Sequence, residues 1–432
     1  MLIRFEFENF RSILEPVELS MVAVDTDRRE AREIPNLGES LLHVAAILGP
    51  NASGKSNIIE ALVWLRDAVR SSLRSWDDGI PVEPFAFVNG PRRSTGFTVE
   101  SMVDGVRFEY ALELDSHAVA YEGLFHYPEK KRRRIFERDG MDLKLQRGLG
   151  HLGGTRSLLT ERTLVLSAAR RFEEPLVTRF ARDLLNIQAL GVAHRFRRTG
   201  LAASRPTARL FEPEPDFGQA SLFEADDLSA PDDLSAADER TQALALLRLA
   251  DLGIEDVAVI KDPELATEPG RARRLGRERR LRLTHRTADG PVALDFEEES
   301  EGTRTWFQMI GPVLFALNEG SVLLFDELDA SLHPTLSAQL IRLFQDPATN
   351  PRDAQLIFST HDTSLLNQLN RDEVWLTEKS DSGATRLGAL AEFAGERVRS
   401  SVNLEKAYLH GRFGALPETD RTELLRALGL IG

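Results

Sequence analysis

The stretch GPNASGKS, Gly49 to Ser56, decides the fold predicted for this chain. An apolar run, Val44 to Leu48, comes directly before it and predicts a buried strand. Directly after it, in NIIEALVWLRDAV (residues 57–69), apolar residues recur at helical spacing. The order is therefore strand, glycine-rich loop and helix. This order predicts a P-loop, in which backbone N–H groups and a helix N-terminus surround a phosphate chain.

The spacing G-x-x-x-x-G-K-S gives each residue of the loop an expected role. The two glycines permit backbone angles that other residues avoid. The Lys55 ammonium is expected to reach the β- and γ-phosphates, and the Ser56 hydroxyl is expected to bind Mg²⁺. A chance glycine turn is the alternative, but it does not account for the flanking strand and helix. The nucleotide-binding residues expected here are Gly49, Asn51, Gly54, Lys55, Ser56 and Asn57.

Length and composition exclude several classes of protein. A chain of 432 residues suggests two or three domains. Cysteine is absent, which excludes disulfides, zinc–thiolate sites and cysteine nucleophiles. No run of 18 apolar residues is present, and the N-terminal sequence MLIRFEFENFRS lacks the apolar segment of a signal peptide. We therefore expect a cytoplasmic protein with no membrane segment.

The charge is acidic overall but unevenly distributed. The net charge is −14, from 68 acidic and 54 basic residues. Basic residues nevertheless cluster in KKRRR, Lys130 to Arg134, and in the arginine-rich run from Arg271 to Arg282. Either cluster could face the phosphates of a nucleic acid. The alternative is that these charges lie on solvent-exposed strand edges and prevent other strands from pairing with them.

The regions outside the P-loop alternate between strand and helix patterns. Period-2 alternation predicts strands at Ile3 to Phe7 and Val17 to Met21, and four more between residues 97 and 138. Helical spacing follows over residues 160–190. Residues 195–240 are polar and contain the near-repeat ADDLSAPDDLSA, so we predict an acidic flexible loop there. A helix at 241–252, a strand at 257–261 and a hairpin at 281–296 complete this middle region.

Two further motifs carry chemistry in the C-terminal part of the chain. In EESEGTRTWF, Ser300 and Gly302 stand at the start of an amphipathic helix, where N–H groups and a hydroxyl can face an anion. In SVLLFDELDASLHP, Asp326 and Glu327 follow the apolar strand Val322 to Phe325. This is the Walker B arrangement, in which Asp326 binds Mg²⁺ and Glu327 orients and deprotonates the attacking water.

A histidine ends the next buried strand, in QLIFSTHD. His361 stands where parallel sheets place their ligand groups. A lone histidine is more often structural, but here its side chain could hydrogen-bond the γ-phosphate or the attacking water. The expected catalytic residues are therefore Glu327 and His361. The expected metal ligands are Ser56 and Asp326.

The order of these motifs resembles the ATP-binding-cassette (ABC) ATPases, and the long insertion resembles their SMC and RecF branch. Five stretches of the sequence are similar to stand-alone AAA-labelled ATPases of bacterial phage defence: FENFRSI, ESEGTR, DELDASLHP, QLIFSTHD and EKAYLHGRFGALP. Those include the ATPases of the AbiL and PARIS systems and the ATPase half of OLD nucleases. The resemblance covers residues 1–150 and 240–417. The signature ESEGT departs from the transporter LSGGQ, and no Q-loop glutamine is assigned.

The resemblance implies further roles and a dimer. Ser300 and Gly302 match the signature, which in this family contacts nucleotide held by the opposite subunit. Asp329 and Ser331 match the D-loop, so Asp329 joins the expected nucleotide-binding residues, and His361 matches the switch histidine. The implied cofactors are ATP and Mg²⁺. The implied partners are a second copy or a higher homo-oligomer and a separate effector such as a Toprim or RloB-like nuclease or toxin, with nucleic acid as a further candidate.

The predicted fold class is α/β, a P-loop NTPase of ABC-ATPase type with mixed β-sheets and a helical and β insertion between Walker A and the signature. We expect an N-terminal ATPase lobe at 1–155, an insertion at 156–285 and a C-terminal ATPase lobe at 286–432. The predicted function is hydrolysis of ATP to ADP and phosphate, as the sensor or motor of an antiphage system.

Four other functions compete with this prediction. A RecF- or SMC-like ATPase of DNA repair, or a slow nucleotide switch that holds an effector, remain alternatives. A membrane-transport ATPase is disfavoured because the insertion is unlike a short helical domain. An OLD nuclease in one chain would need a Toprim domain after His361, for which too few residues remain.

Overall fold

The computed structural model describes residues 1–192, 207–212, 236–250, 253–261, 279–394 and 404–410. Their strands are β1 Leu2–Glu8, β2 Val17–Ser20, β3 Ala31–Ile34, β4 Glu39–Leu42, β5 Val44–Leu48, β6 Thr95–Val103, β7 Val106–Leu114, β8 Val119–His126, β9 Arg133–Asp139, β10 Asp142–Leu145, β11 Gln188–Leu190, β12 Ile254–Lys261, β13 Arg279–Thr287, β14 Gly290–Asp295, β15 Val322–Phe325, β16 Gln355–Ser359, β17 Val374–Lys379 and β18 Thr385–Ala389. Their α-helices are α1 Lys55–Ser75, α2 Val165–Ala169, α3 Pro175–Leu185, α4 Ala236–Leu249, α5 Glu301–Glu319, α6 Leu328–Ser331, α7 Pro334–Gln345, α8 Leu390–Ala394 and α9 Leu404–Leu409.

A six-stranded sheet carries the motifs. Its order is β11-β15-β16-β5-β17-β18, and every pairing is parallel except that of β17 with β18. Strands β5, β15 and β16 are buried at every position, because helices or the second sheet cover both faces. Strand β16 lies between β15 and β5. The carboxyl ends of all three strands therefore meet at one edge.

A seven-stranded antiparallel sheet covers one face of the parallel sheet. Its order is β10-β9-β8-β7-β6-β1-β2. Its inner side chains, including Phe5, Phe97 and Tyr110, join helix α1 and alternate residues of β5 in one core. Helices α5 and α7 pack on the opposite face of the parallel sheet in a second core. Helix α1 and the P-loop thus lie between the two large sheets.

The described part of the insertion is a small three-stranded sheet with a helix. Strands β12, β13 and β14 pair antiparallel, and α4 packs with α5. The segment Thr207–Phe211 forms a short 3-10 helix whose Leu210 and Phe211 are buried. Phe211 stacks on Phe307 of α5 with ring centroids 5.9 Å apart. This segment therefore packs into the second core.

Most sequence-predicted elements are present, and the differences are local. Residues 207–212 were assigned to the acidic flexible loop, and this assignment is wrong for that segment because two large apolar side chains anchor it. Residues 236–240 were also assigned to this loop, and this is wrong as well, because they form the start of helix α4. The rest of the predicted loop, 195–206 and 213–235, lies outside the described residues. The helical region 160–190 ends in an unpredicted strand, β11. Strand β18, which pairs antiparallel with β17, was not predicted either.

Candidate functional site

The P-loop connects β5 to α1 in the expected way. Gly49 and Gly54 have φ angles of +155° and +107°, which favour glycine. A Cβ atom on Gly49 would lie 2.3 Å from Thr377 Oγ1, and one on Gly54 would lie 2.2 Å from Thr385 Oγ1. Both positions therefore require glycine for space as well as for conformation.

Lys55, the first residue of α1, is a buried cation that forms no ion pair among the described residues. Its side chain is 5% exposed, and Nζ donates hydrogen bonds of 3.0 Å to the carbonyls of Gly49 and Pro50. Among the described residues, no carboxylate oxygen lies within 4.0 Å of Nζ. Burial lowers the pKa of Lys55, while the more distant Asp326, Glu327 and Asp329 act to raise it. The ammonium is held by neutral carbonyls and is available to an anion.

Asp326 follows β15 at the same edge and is also buried without an ion-pair partner among the described residues. It is 7% exposed, and its Oδ1 accepts a hydrogen bond of 2.6 Å from Ser359 Oγ at the end of β16. The same hydroxyl oxygen accepts the Glu327 N–H at 2.8 Å. Because Phe325 pairs with Phe358 in parallel register, Ser359 is placed beside Asp326.

Glu327 has a left-handed backbone conformation, with φ at +56° and ψ at +58°. A glutamate in this region carries steric strain, and such residues concentrate at functional sites. Its side chain is exposed at the carboxyl edge of the sheet. The strained turn therefore directs the chain from β15 into α6 directly after the buried Asp326.

His361 and Asp329 complete this cluster. The Nδ1 atom of His361 lies 3.5 Å from Lys55 Nζ, and the His361 N–H donates a hydrogen bond of 3.0 Å to Asp329 Oδ1. The structure thus brings Lys55, Asp326, Glu327, Asp329 and His361 together, although these residues come from three separate parts of the sequence.

The other sequence-predicted P-loop residues take different positions. Asn51 is exposed in the loop, and Ser56 is half-buried in the first turn of α1. Asn57 Nδ2 donates a hydrogen bond of 2.6 Å to Ser12 Oγ, in the turn between β1 and β2. Its role in nucleotide binding stays a prediction.

Ser300 and Gly302 lie at the start of α5. Ser300 caps the helix by accepting the Thr303 N–H at 3.1 Å, which explains why the helix begins here. Glu299, directly before it, is buried and held 2.6 Å from His285 of β13. Within the described residues, no hydrogen bond joins Ser300 or Gly302 to the P-loop of the same chain. These two residues are therefore not part of the Lys55 cluster in a single subunit.

Sequence reasoning missed the hydroxyl residues that support the site. Five hydroxyl side chains form hydrogen bonds with a P-loop residue, a Walker B residue or one another. They belong to Ser12, Ser53, Ser359, Thr377 and Thr385. The available signal was a small polar residue at the end of an apolar strand, as in QLIFS. Such residues are unremarkable in sequence because strand ends often carry serine or threonine.

The donor set fits a magnesium–nucleoside phosphate. A buried ammonium and a buried carboxylate lie at one edge without forming an ion pair with each other, although unpaired buried charges are costly. A loop whose glycines leave no room for a Cβ opens beside them. Phosphate oxygens would complement Lys55, and a divalent cation would complement Asp326 and the Ser56 hydroxyl.

In both basic clusters, several of the described arginines are paired with carboxylates. Arg132 lies 2.6 Å from Glu109, and Arg134 lies 3.0 Å from Glu137. In the insertion, Arg282 lies 2.6 Å from Asp295. The other half of the second cluster, 271–278, lies outside the described residues. The described arginines thus match the expectation of charged strand surfaces better than that of a free basic patch.

The described part of the chain contains no helix that is long and apolar enough to cross a membrane.

No curated protein matches the sequence. Among solved structures, an SMC head bound to the C-terminal winged-helix domain of ScpA is 14% identical, with 94% of this chain and 99% of that chain covered and a TM-score of 0.44. The SMC head domain from Thermotoga maritima is 14% identical, with 90% and 98% covered and a TM-score of 0.40. Likeness at this level carries no argument about function.

A family model matches the chain over residues 44–367, from the strand before the P-loop to the segment after His361. The match includes every motif of the candidate site. The chain belongs to the family described as "AAA domain, putative AbiEii toxin, Type IV TA system".

Proposed function

We propose that this chain is an ATPase that binds ATP with Mg²⁺ and hydrolyses it to ADP and phosphate. The observation that supports this most strongly is that two buried charged side chains, Lys55 and Asp326, form no ion pair with each other and lie beside a glycine loop at the carboxyl edge of a parallel sheet. A phosphate chain carrying a divalent cation is the ligand that satisfies both charges at once.

Each residue of the cluster has a separate role in this proposal. Lys55 and the N–H groups at the start of α1 bind the phosphates, and Asp326 with Ser56 hold the cation. Bound magnesium would withdraw charge from the phosphate oxygens. Glu327 accepts the proton of the attacking water, and His361 hydrogen-bonds the same region. Asp329 positions His361 through the backbone hydrogen bond described above.

Hydrolysis is proposed to require two copies of the chain. Ser300 and Gly302 are not joined to the P-loop of their own chain, and their helix start presents an N-terminus that favours an anion. In a two-fold dimer, the signature of one subunit would face the nucleotide of the other. Asn51, Asp329 and the signature would then enclose the nucleotide from opposite sides.

We further propose that the ATPase is the sensor or motor of an antiphage system and acts with a separate nuclease or toxin in the cytoplasm. The description of the family refers to a toxin and a type IV toxin–antitoxin system, which supports a defence role. The sequence resemblance to phage-defence ATPases supports the same role. Control of an effector requires only that the open and closed dimers differ in their affinity for it.

The test is steady-state phosphate release by the purified chain with Mg-ATP, alongside Lys55→Ala and Glu327→Gln. We expect magnesium-dependent turnover in the wild type and background rates in both variants. Tight ATP binding with background turnover in the wild type would favour the slow nucleotide switch instead. Absence of ATP binding would contradict the proposal.

A further inference from the structure

Two threonines on β17 and β18 occupy the space next to the P-loop glycines. Leu376 pairs with Leu48 in parallel register, so Thr377 is placed beside Gly49. Thr385 begins β18, and its hydroxyl lies against Gly54. Both threonines are fully or almost fully buried. The strands that follow His361 therefore form one wall of the P-loop.

The hydroxyl groups around Thr385 form a chain of hydrogen bonds in which the donor of each bond can be assigned. Asn57 Nδ2 donates to Ser12 Oγ at 2.6 Å, and Thr385 Oγ1 donates to the Ser53 carbonyl at 2.7 Å. Ser12 Oγ and Thr385 Oγ1 are 2.8 Å apart. Because the Thr385 proton is used on the carbonyl, Ser12 is the donor in this middle bond. Lys379 Nζ, at 3.2 Å, supplies the second donor to Thr385 Oγ1.

A second hydroxyl pair fixes the side chain of Ser53. Thr377 Oγ1 donates to the Leu48 carbonyl at 3.2 Å and lies 2.6 Å from Ser53 Oγ. Since the Thr377 proton is used on the carbonyl, Ser53 is the donor between the two hydroxyls. Ser53 is therefore held through its side chain by β17 and through its carbonyl by β18.

The orientation of one P-loop peptide follows from these bonds. In a trans peptide, the carbonyl and the next N–H point in opposite directions. Holding the Ser53 carbonyl against Thr385 therefore turns the Gly54 N–H away from β18. The Gly54 N–H is one of the backbone donors that a P-loop offers to phosphate.

We propose that Thr385 is a positioning residue that presets the Ser53–Gly54 peptide for phosphate binding, with Ser12 linking this peptide to the turn between β1 and β2. This inference rests on the proposed function, because it concerns how that site binds nucleotide. It predicts that nucleotide affinity depends on Thr385, which touches neither Asp326, Glu327 nor His361. Turnover at saturating ATP should depend on it much less.

The test compares Thr385→Val, Thr385→Ser and a control, Thr95→Val. Thr95 is a buried threonine of β6 whose hydroxyl donates to the Asn9 carbonyl at 2.8 Å, so the control removes an equivalent bond elsewhere. ATP dissociation constants are measured by calorimetry, and kcat is measured at saturating ATP. We expect Thr385→Val to raise the dissociation constant about tenfold with kcat within about twofold. Thr385→Ser should restore wild-type affinity.

Three outcomes separate the hypotheses. Wild-type ATP binding together with unchanged affinity in Thr385→Val overturns this inference alone. An equal loss of affinity in Thr95→Val overturns it too, because the effect would then be general destabilisation. Absence of ATP binding by the wild type overturns the proposed function as well. If Thr385→Val does not fold, Ser12→Ala is tested instead, because it removes the neighbouring hydrogen bond between Ser12 and Thr385. The ATP affinity of Ser12→Ala should be about threefold lower than that of the wild type. Unchanged ATP affinity overturns the inference.

Discussion

The Ser359 hydroxyl donates a hydrogen bond of 2.6 Å to Asp326 Oδ1 and accepts the N–H of Glu327 at 2.8 Å. One buried side chain at the end of β16 thus holds both the carboxylate expected to bind metal and the backbone of the expected base. Oxygen ligands are usually oriented by such partners, and removing them typically lowers metal affinity or activity about 10- to 100-fold.

Ser359→Ala should therefore raise the Mg²⁺ concentration needed for half-maximal ATPase activity by about tenfold. The reason is that Asp326 loses the donor that fixes its orientation. A magnesium titration at saturating ATP measures this. Ser337→Ala is the matched control, since Ser337 is fully buried in α7 and its Oγ has no hydrogen-bond partner among the described residues. Equal effects of both substitutions would mean that the Ser359 bond has no specific role.

Lys55→Met should abolish tight ATP binding while leaving the nucleotide-free protein at least as stable as the wild type. The ammonium is buried without a counter-ion, and an apolar side chain of similar length removes its desolvation cost. Thermal unfolding with and without Mg-ATP measures both effects. The wild type should gain stability from ATP, and the variant should not. A large loss of stability in the absence of ATP would show that Lys55 has a structural role.

Glu327→Gln should bind ATP and accumulate as a closed dimer, because the amide keeps the shape of the side chain but cannot take a proton from water. The substitution leaves the Ser359 bond to the backbone N–H intact. Light scattering with Mg-ATP should show a larger species that persists in the variant and decays in the wild type. Wild-type turnover by Glu327→Gln would place the base elsewhere.

Stability should fall as the pH rises from about 4.5 to about 7 because of Glu373. Burial raises the pKa of Glu373 to about 7, with Arg28 acting in the opposite direction. In this window the unfolded carboxyl has lost its proton while the folded one keeps it, so the folded state binds more protons. The full effect is on the order of 3 kcal/mol.

Glu373→Gln, which resembles the protonated form, should flatten this pH dependence and raise the melting temperature at pH 8. The side-chain oxygen can still accept the Asn370 N–H, which lies 2.7 Å from Glu373 Oε2. Exposed Glu33 provides a control, and Glu33→Gln should leave the pH profile unchanged. Melting temperatures of all three proteins between pH 5 and pH 8 measure the effect. A parallel profile for Glu373→Gln and the wild type would contradict the raised pKa.

The sequence predicts the elements with strong local patterns. The strand Val44–Leu48 and the strand Val322–Phe325 are continuous apolar runs bounded by polar residues, and the structure has both at the predicted positions. Strand β11 was missed because its three residues, Gln188–Leu190, follow a helix without a turn signal and are strand only by pairing with β15. Nonlocal pairing of this kind leaves no periodicity in the sequence.

The same limit applies to the site, where residues in motifs were predicted and residues placed only by nonlocal pairing were not. Motif spacing identified Lys55, Asp326 and His361, because each expected role fixes a residue type in the segment that follows a buried strand. It could not find Thr377 or Thr385, since their importance comes only from the register of β17 and β18 beside the P-loop. Nor could it find the hydrogen bond between Asn57 and Ser12, which are 45 positions apart in the sequence.

Ser300→Arg should leave ATP binding by the isolated chain intact but block hydrolysis. Ser300 lies at the start of α5 and has no hydrogen bond to the P-loop of its own chain in the described residues. In a dimer, an arginine there would occupy the space that the γ-phosphate of the opposite subunit must enter. Calorimetry measures ATP binding, and phosphate release measures hydrolysis. Glu301→Gln, one position further on and exposed, changes the charge by the same +1 without adding bulk and controls for the added charge.

Mixing Ser300→Arg with Lys55→Ala tests directly whether the site is shared. Each heterodimer then has one site with both lesions and one site with neither, because the intact P-loop of one chain faces the intact signature of the other. Activity should return from two inactive parents, up to about a quarter of the wild-type rate if the sites act independently and exchange is random. A signature that acts within its own chain leaves both subunits defective, so mixing would restore nothing. Should subunit exchange be demonstrated without recovery, a covalently linked heterodimer with one wild-type site decides whether hydrolysis requires both sites at once.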